Sequence, residues 1–249
     1  MDPIHQFQIV NLFPVLQIGN TQIAFTNAAA FMFLGVICVT AFLIGATAGN
    51  RLVPNRLQSM AELTYEFTAT MVRSTAGAEG MKFFPYVFTI FMFVLFLNIV
   101  GEIPYAFSVT SQVVITSTLA LMVFFTVLTY GIMRHGVRFF NLFVPKGVPI
   151  YILPMIVAIE IMSFISRPVS HSIRLFANML AGHITVKVFA GFIILLGTGL
   201  GAIGWAGGIF PFFMVVILFA LEFLVAALQA YVFAILTCIY LNDAIHPGH

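Results

Sequence analysis

Long apolar runs, broken at a few places by charged clusters, organise this chain. Phe83 to Gly101, Ile103 to Met133, Val188 to Leu221 and Phe223 to Asn242 contain no Asp, Glu, Lys or Arg. A helix crossing a bilayer needs about 20 apolar residues, so the pattern predicts spanning helices over 25–49, 83–100, 111–133, 150–196 and 209–241. The stretch 57–73 differs: Leu57, Met60, Phe67 and Met71 recur near helical spacing while Glu62, Glu66 and Arg73 share the other side. It is too polar to span and suits a helix lying in the membrane interface. The predicted fold class is therefore all-α integral membrane, with five spanning helices and one in-plane amphipathic helix. A single transmembrane domain over 1–249 is expected, with no internal repeat.

The two C-terminal helices are too long for the bilayer. At about 1.5 Å per residue the segment 150–196 would reach about 70 Å, against a hydrocarbon core of about 30 Å. It must tilt, bend or break, and Pro154 and Pro168 are where a bend costs least. A glycine-rich turn, Gly197 to Gly208, precedes the last helix, which at about 50 Å should also tilt. A long tilted antiparallel hairpin follows.

Composition sharpens the reading. Of 249 residues, 61% are hydrophobic and 7% charged, with a mean hydropathy of +1.10; soluble domains carry about 25% charged residues. Arg51, Arg56, Arg73, Lys82, Arg134, Arg138 and Lys146 all fall in the two segments that five crossings place on one side. The N-terminal tail, the turn near Glu102 and the glycine-rich turn carry no Lys or Arg, so the N-terminus is expected outside and the C-terminus inside. Met1 to Val10 lack a basic region ahead of an apolar run, and no cleavable signal peptide is expected. Cys38 and Cys238 form no disulfide framework or CxxC site and read as packing residues. No basic cluster with interleaved aromatics points to nucleic acid, and the 29 phenylalanines read as lipid-facing or core packing.

Three basic residues remain, Arg167, Arg174 and Lys187, with Glu160, His171, His183 and Glu222 as further ionisable groups in the apolar segments. Each costs at least about 2.5–3.5 kcal/mol near the bilayer centre, so such groups mark an ion or substrate path by default. Glu160, Arg167 and His171 precede Arg174 by 14, 7 and 3 residues, and Asn178 follows by 4. At helical spacing these share one stripe, which must face water or a partner that needs a cation. His183, nine residues after Arg174, falls about half a turn away. In the last helix Glu222 and Gln229 are seven apart and share a face. Counting from the turn between antiparallel helices sets Arg174 level with Gln229, and His183 level with Glu222 about 12 Å nearer the outer face. His and Glu exchange protons near neutral pH when their surroundings shift them, whereas Arg stays charged. The predicted arrangement is a proton-permeable region ending at a fixed cation. Plainer readings stand beside it. Glu160 and Arg167 could snorkel or pair with each other, His171 could hydrogen-bond a neighbouring helix, Lys187 could snorkel outward, and Glu102 reads as a solvated loop carboxylate. Arg174 itself could serve a structural salt bridge to Glu222 or Glu160.

The run Ser172 to His183 resembles the signature of subunit a of the rotary ATP synthases, in its RLxxNxxAGH form, with Arg174, Asn178, Ala181, Gly182 and His183 in place. Leu228 to Phe233 resembles that family's second signature, with Glu222 seven residues before Gln229, and Asn98 to Gln112 resembles its NxxGxxPYxFxxTxQ segment. The order His183 then Glu222 is similar to the mitochondrial and alphaproteobacterial branch. The resemblance covers nearly the whole chain. It implies a proton-channel stator subunit beside a c-ring of rotor hairpins, each with one membrane-embedded carboxylate. It implies further partners: peripheral-stalk b-type subunits and, through the stalk, a catalytic nucleotide-binding sector. By the same resemblance Arg174 is the essential arginine that holds the ionised rotor carboxylate and separates two half-channels. Asn178 and Gln229 are its hydrogen-bonding neighbours, His183 and Glu222 line the outer half-channel, and Glu160 lines the inner one. The subunit is expected to be non-catalytic alone, without cofactor or metal, since the chain has no GxxxxGK[ST] loop. A bacterial inner membrane is expected in preference to a mitochondrial one. The competing function is a stand-alone proton-coupled secondary transporter, against which stands the absence of an inverted repeat or paired broken helices. A purely structural anchor would leave the intramembrane charges without a purpose.

Overall fold

The fold comes from a computed structural model and is described for residues 8–18, 21–49, 53–103, 106–144 and 151–246. Arg51, Pro104, Tyr105 and Lys146, which entered the orientation and signature arguments, lie outside the described residues, as do Asp2 and His249 at the ends. A hairpin of β1 (Asn11–Ile18) and β2 (Thr21–Thr26) comes first. Helices α1 (Asn27–Thr47), α2 (Arg56–Gly80), α3 (Phe84–Gly101), α4 (Val113–His135), α5 (Leu153–Gly207) and α6 (Ile209–Ile245) follow. Among the described residues, five helical segments are long and apolar enough to cross a membrane. The chain is an all-α integral membrane protein apart from that small hairpin.

Three boundaries differ from expectation for local reasons. The helix expected from 25 starts at Asn27, because Phe25 and Thr26 end the strand β2, which pairs antiparallel with β1. Helix α2 is longer than the predicted 57–73 and turns at Gly77, whose φ of 68° only glycine adopts without strain. Helix α5 continues past 196, and its one non-helical residue is Gly201 (φ 58°). The expected glycine-rich turn is thus mostly helical. Trp205 folds back over Gly197, where an added Cβ would fall 2.6 Å from the indole, so the chain reverses in a tight elbow. Pro154 sits in the first turn of α5, where its missing N–H costs nothing, whereas Pro168 lies inside the helix and leaves the Phe164 carbonyl without its usual donor.

The chain divides into two compact units. One holds the hairpin and α1 up to Cys38, Val94–Gln112, and Leu175–Ala230. Inside it, Gly35 of α1 admits Leu97 of α3 at a distance a side chain would block, a Cβ there falling 2.7 Å from Leu97 Cδ2. Asn98, fully buried, donates from Nδ2 to the Ala226 carbonyl of α6 at 3.0 Å. The other unit holds Val39–Phe93, Val113–Arg174 and Tyr231–His249. Its core is aromatic: Tyr65 packs edge-on to Phe84, Phe83 to Tyr130, and Phe143 to Phe164. Buried Thr116 and Ser172 hydroxyls meet at 3.1 Å, and Arg134 pairs with Glu79 at 2.6 Å.

Candidate functional site

The polar residues of α5 and α6 separate into three groups. The first is an outward-facing set on α5. Arg174, Asn178 and Ala181 are exposed at i, i+4 and i+7 along one side of the helix. Among the described residues Arg174 makes no ion pair, so the structural salt bridge to Glu222 or Glu160 is not formed.

His171 does not join that exposed stripe. It is buried, its ring edge-on to Phe233 with centroids 3.8 Å apart and 5.9 Å from Tyr240. A spacing of three residues leaves about 60° between two side chains, enough for one to face outward and the other to turn onto α6. His171 is thus an aromatic-packed core residue in this unit.

The second group lies toward the C-terminal end of α6. Arg167 pairs with Asp243 at 2.6 Å and stacks its guanidinium near Phe164 (5.4 Å) and Tyr240 (5.2 Å). Arg167 is therefore held by Asp243 rather than by Glu160, and Glu160 is half-buried. Asp243 did not stand out in the sequence, because it lies in the polar end of the last helix where a carboxylate reads as solvated.

The third group is the most concentrated set of ionisable side chains among the described residues. Donor atoms of Glu102, His183 and Glu222 all lie within 4.8 Å of one another. Glu102 and Glu222 are buried, at 3% and 7% exposure, and His183 is half-buried. Glu102 Oε2 and Glu222 Oε1 are buried without a hydrogen-bond partner among the described residues. His183 of α5 and Glu222 of α6 lie close together, and Glu102 is no solvated loop carboxylate: the turn after α3 folds it into the same cluster. Burial, then the neighbouring Glu222 carboxyl, pushes Glu102 up from 4.5 to about 8, so it holds its proton at neutral pH.

Local structure explains how three segments deliver these groups. Glu102 follows Asn98 by one helical turn, and its N–H bonds back to the Asn98 carbonyl at 3.1 Å. Glu222 precedes Ala226 by one turn, so the Asn98–Ala226 bond ties both carboxyls into one register. Gly182, beside His183, leaves the space that the Glu222 carboxyl occupies: a Cβ there would fall 2.6 Å from Oε1. Asn98 and Gly182 are positioning residues that the spacing argument passed over. Gln229 is buried on α6, two turns from Glu222. One imidazole and two carboxyls are donors that a divalent cation could use, and they are groups of the kind that take up and release protons.

Residues 28–242 match the family model described as the ATP synthase A chain. The chain belongs to the ATP synthase A chain family. A protein named ATP synthase subunit a from Bradyrhizobium diazoefficiens is 59% identical over 249 residues, covering all of this chain and 99% of that protein. One of the same name from Rhodopseudomonas palustris (strain HaA2) is 61% identical over 248 residues, covering all of this chain and 99% of its own. A third, from Nitrobacter winogradskyi, is 60% identical over 249 residues with both chains fully covered. For a member of this ATP synthase family, buried carboxyls and an unpaired arginine in apolar helices are groups with a function to account for.

Proposed function

We propose that this chain is the proton-channel stator subunit of a rotary ATP synthase, coupling transmembrane proton flow to rotation of a c-ring. The observation that carries the reading is the full-length similarity to proteins named ATP synthase subunit a. A stand-alone transporter is not favoured by relatives of that kind. The subunit is non-catalytic alone, and ATP chemistry belongs to the complex it joins.

Each group then has a role. A proton from the outer side reaches Glu222, His183 and Glu102, the last an addition to the expected path. It passes to an ionised carboxylate on a rotor hairpin, which becomes neutral and moves into lipid as the ring turns. After nearly a full revolution that carboxyl loses its proton to the inner half-channel on the Glu160 side and is held, ionised, by Arg174. Arg174 cannot carry the proton onward, because a guanidinium keeps its charge in proteins, so the two half-channels stay separate. Asn178 and Gln229 act as hydrogen-bonding neighbours of that arginine. Helix α2 lies in the membrane plane, the N-terminus is outside a bacterial inner membrane, and the whole chain works as one transmembrane domain. Partners are the c-ring, the b-type peripheral stalk and, through it, the catalytic sector.

The complex purified through a tag on this chain should contain a rotor ring and, reconstituted in liposomes, should make ATP from an imposed proton gradient. Purification of the chain alone, with proton-coupled uptake of a solute, would favour the transporter instead.

A further inference from the structure

The β1–β2 hairpin has no part in the proton path, and its chemistry points elsewhere. Residues 8–26 contain no Asp, Glu, Lys or Arg, while Ile9, Val10, Leu12 and Phe13 are each at least half exposed. An isolated two-stranded hairpin is marginal in water, and one with this many exposed apolar side chains needs a surface to lie on.

The hairpin is also rigidly joined to a membrane-crossing helix. Asn27, the first residue of α1, accepts from the Val10 N–H at 3.2 Å and the Ala28 N–H at 2.9 Å through Oδ1. Its Nδ2 donates to the Gln8 carbonyl at 3.1 Å, and its own N–H donates to the Val10 carbonyl at 3.1 Å. One asparagine thus stitches the strand leading into β1 onto the helix start. Phe13 and Phe25 face each other across the strands, 5.2 Å apart and nearly parallel, and Phe25 stacks in turn on Phe33 of α1 at 5.9 Å. Phe33 is 61% exposed on a helix apolar enough to span. The aromatic column therefore runs without interruption from the hairpin onto an exposed apolar face of α1.

We propose that the β1–β2 hairpin is an interfacial lipid anchor, lying in the headgroup–acyl boundary with Phe13 and Phe25 continuing the lipid contact of Phe33. The boundary suits it better than the hydrocarbon core. Both strands are edges with unpaired backbone groups, which the core cannot satisfy and the hydrated interface can. A lipid occupant fits an uncharged patch of exposed apolar side chains that continues onto a helix apolar enough to span. The anchor would fix the first crossing at its end and hold the start of α1 at a constant depth.

Spin labels test this in the complete complex, reconstituted in phosphatidylcholine vesicles, with single cysteines at Phe13, Phe25 and Phe33 and the other cysteines replaced. Collision with oxygen, which concentrates in lipid, is compared with collision with a water-soluble nickel chelate. Oxygen collision should exceed nickel severalfold at all three positions, with the ratio rising in the order Phe13, Phe25, Phe33. Nickel collision equal to or above oxygen at Phe13 would mean a hairpin standing in water and overturn the proposal. Exclusion of both reagents there would mean a protein cover and overturn it equally. If the label at Phe13 blocks assembly, Leu12 carries the same measurement with the same two contrary outcomes.

Discussion

The Glu222 carboxyl rests against Gly182, close enough that a methyl at 182 would fall 2.6 Å from Oε1 and 3.2 Å from Cδ. Gly182→Ala should leave α5 intact or firmer, since alanine is about 1 kcal/mol better than glycine in a helix. It should nonetheless displace the carboxyl from His183 and Glu102. Proton conduction through the membrane sector should slow by roughly tenfold or more with the complex still assembled, and shortening the carboxyl in Gly182→Ala/Glu222→Asp should recover part of it. Conduction unchanged in Gly182→Ala would show that the seat is not needed.

Asn98 tests the register of the same cluster. Its amide reaches the Ala226 carbonyl from a fully buried position. Asn98→Leu should cost about 1–3 kcal/mol of stability and separate Glu102 from Glu222. With Glu102→Cys and Glu222→Cys, a short bifunctional thiol reagent should cross-link the pair efficiently in the parent complex and poorly with Asn98→Leu. Equal yields in both would remove Asn98 from a positioning role.

The raised Glu102 carboxyl gives a pH dependence with a definite sign. A carboxyl whose folded value lies near 8, above its ordinary 4.5, favours the folded state while protonated. That contribution is fully present below 4.5 and is lost as pH rises through about 8. Glu102→Gln, neutral throughout, should make the dissociation temperature of the complex less dependent on pH between about 6 and about 9. A pH dependence identical to the parent would mean Glu102 is not held protonated.

How much of this was legible beforehand depended on whether the deciding contact was local. Long apolar runs pointed to five helices long enough to cross, and five such helices are present among the described residues, because length and apolarity are properties of the run itself. Ser172 to His183 and the Glu222–Gln229 spacing singled out Arg174, His183 and Glu222, and the last two do meet. The hairpin was missed because the residues before Phe25 read as an N-terminal tail, and the pairing of Phe13 to Ile18 with Thr21 to Phe25 joins two short segments, neither of which announces it alone. The continuation of α5 was hidden because Gly197 to Gly208 reads as a breaker until Trp205 is seen to cover Gly197. The burial of His171 was not legible because helical spacing places a residue on a face without saying what covers that face, here Phe233. Glu102 and Asp243 were passed over for the same reason: a carboxylate near a helix end reads as solvated until a neighbouring helix is known to bury or pair it.

The Arg167–Asp243 pair is half-shielded, flanked by Phe164 and Tyr240. Removing one partner should hurt more than removing both, because a lone charge is then left among aromatic rings. In a double-mutant cycle of Arg167→Leu and Asp243→Leu, read from dissociation temperature, the coupling should be about 1 kcal/mol after allowance for partial exposure. Additive losses would mean the pair contributes nothing as a pair.

The most direct test concerns Arg174, exposed on α5 and without an ion pair among the described residues. ATP synthesis driven by an imposed proton gradient should be measured in membrane vesicles carrying Arg174→Ala, with the amount of assembled complex measured alongside. Expected is loss of synthesis with assembly close to that of the parent, and little recovery with Arg174→Lys, whose ammonium can lose its proton and lacks the planar fork. Near-normal synthesis in Arg174→Ala would contradict the coupling role of this arginine.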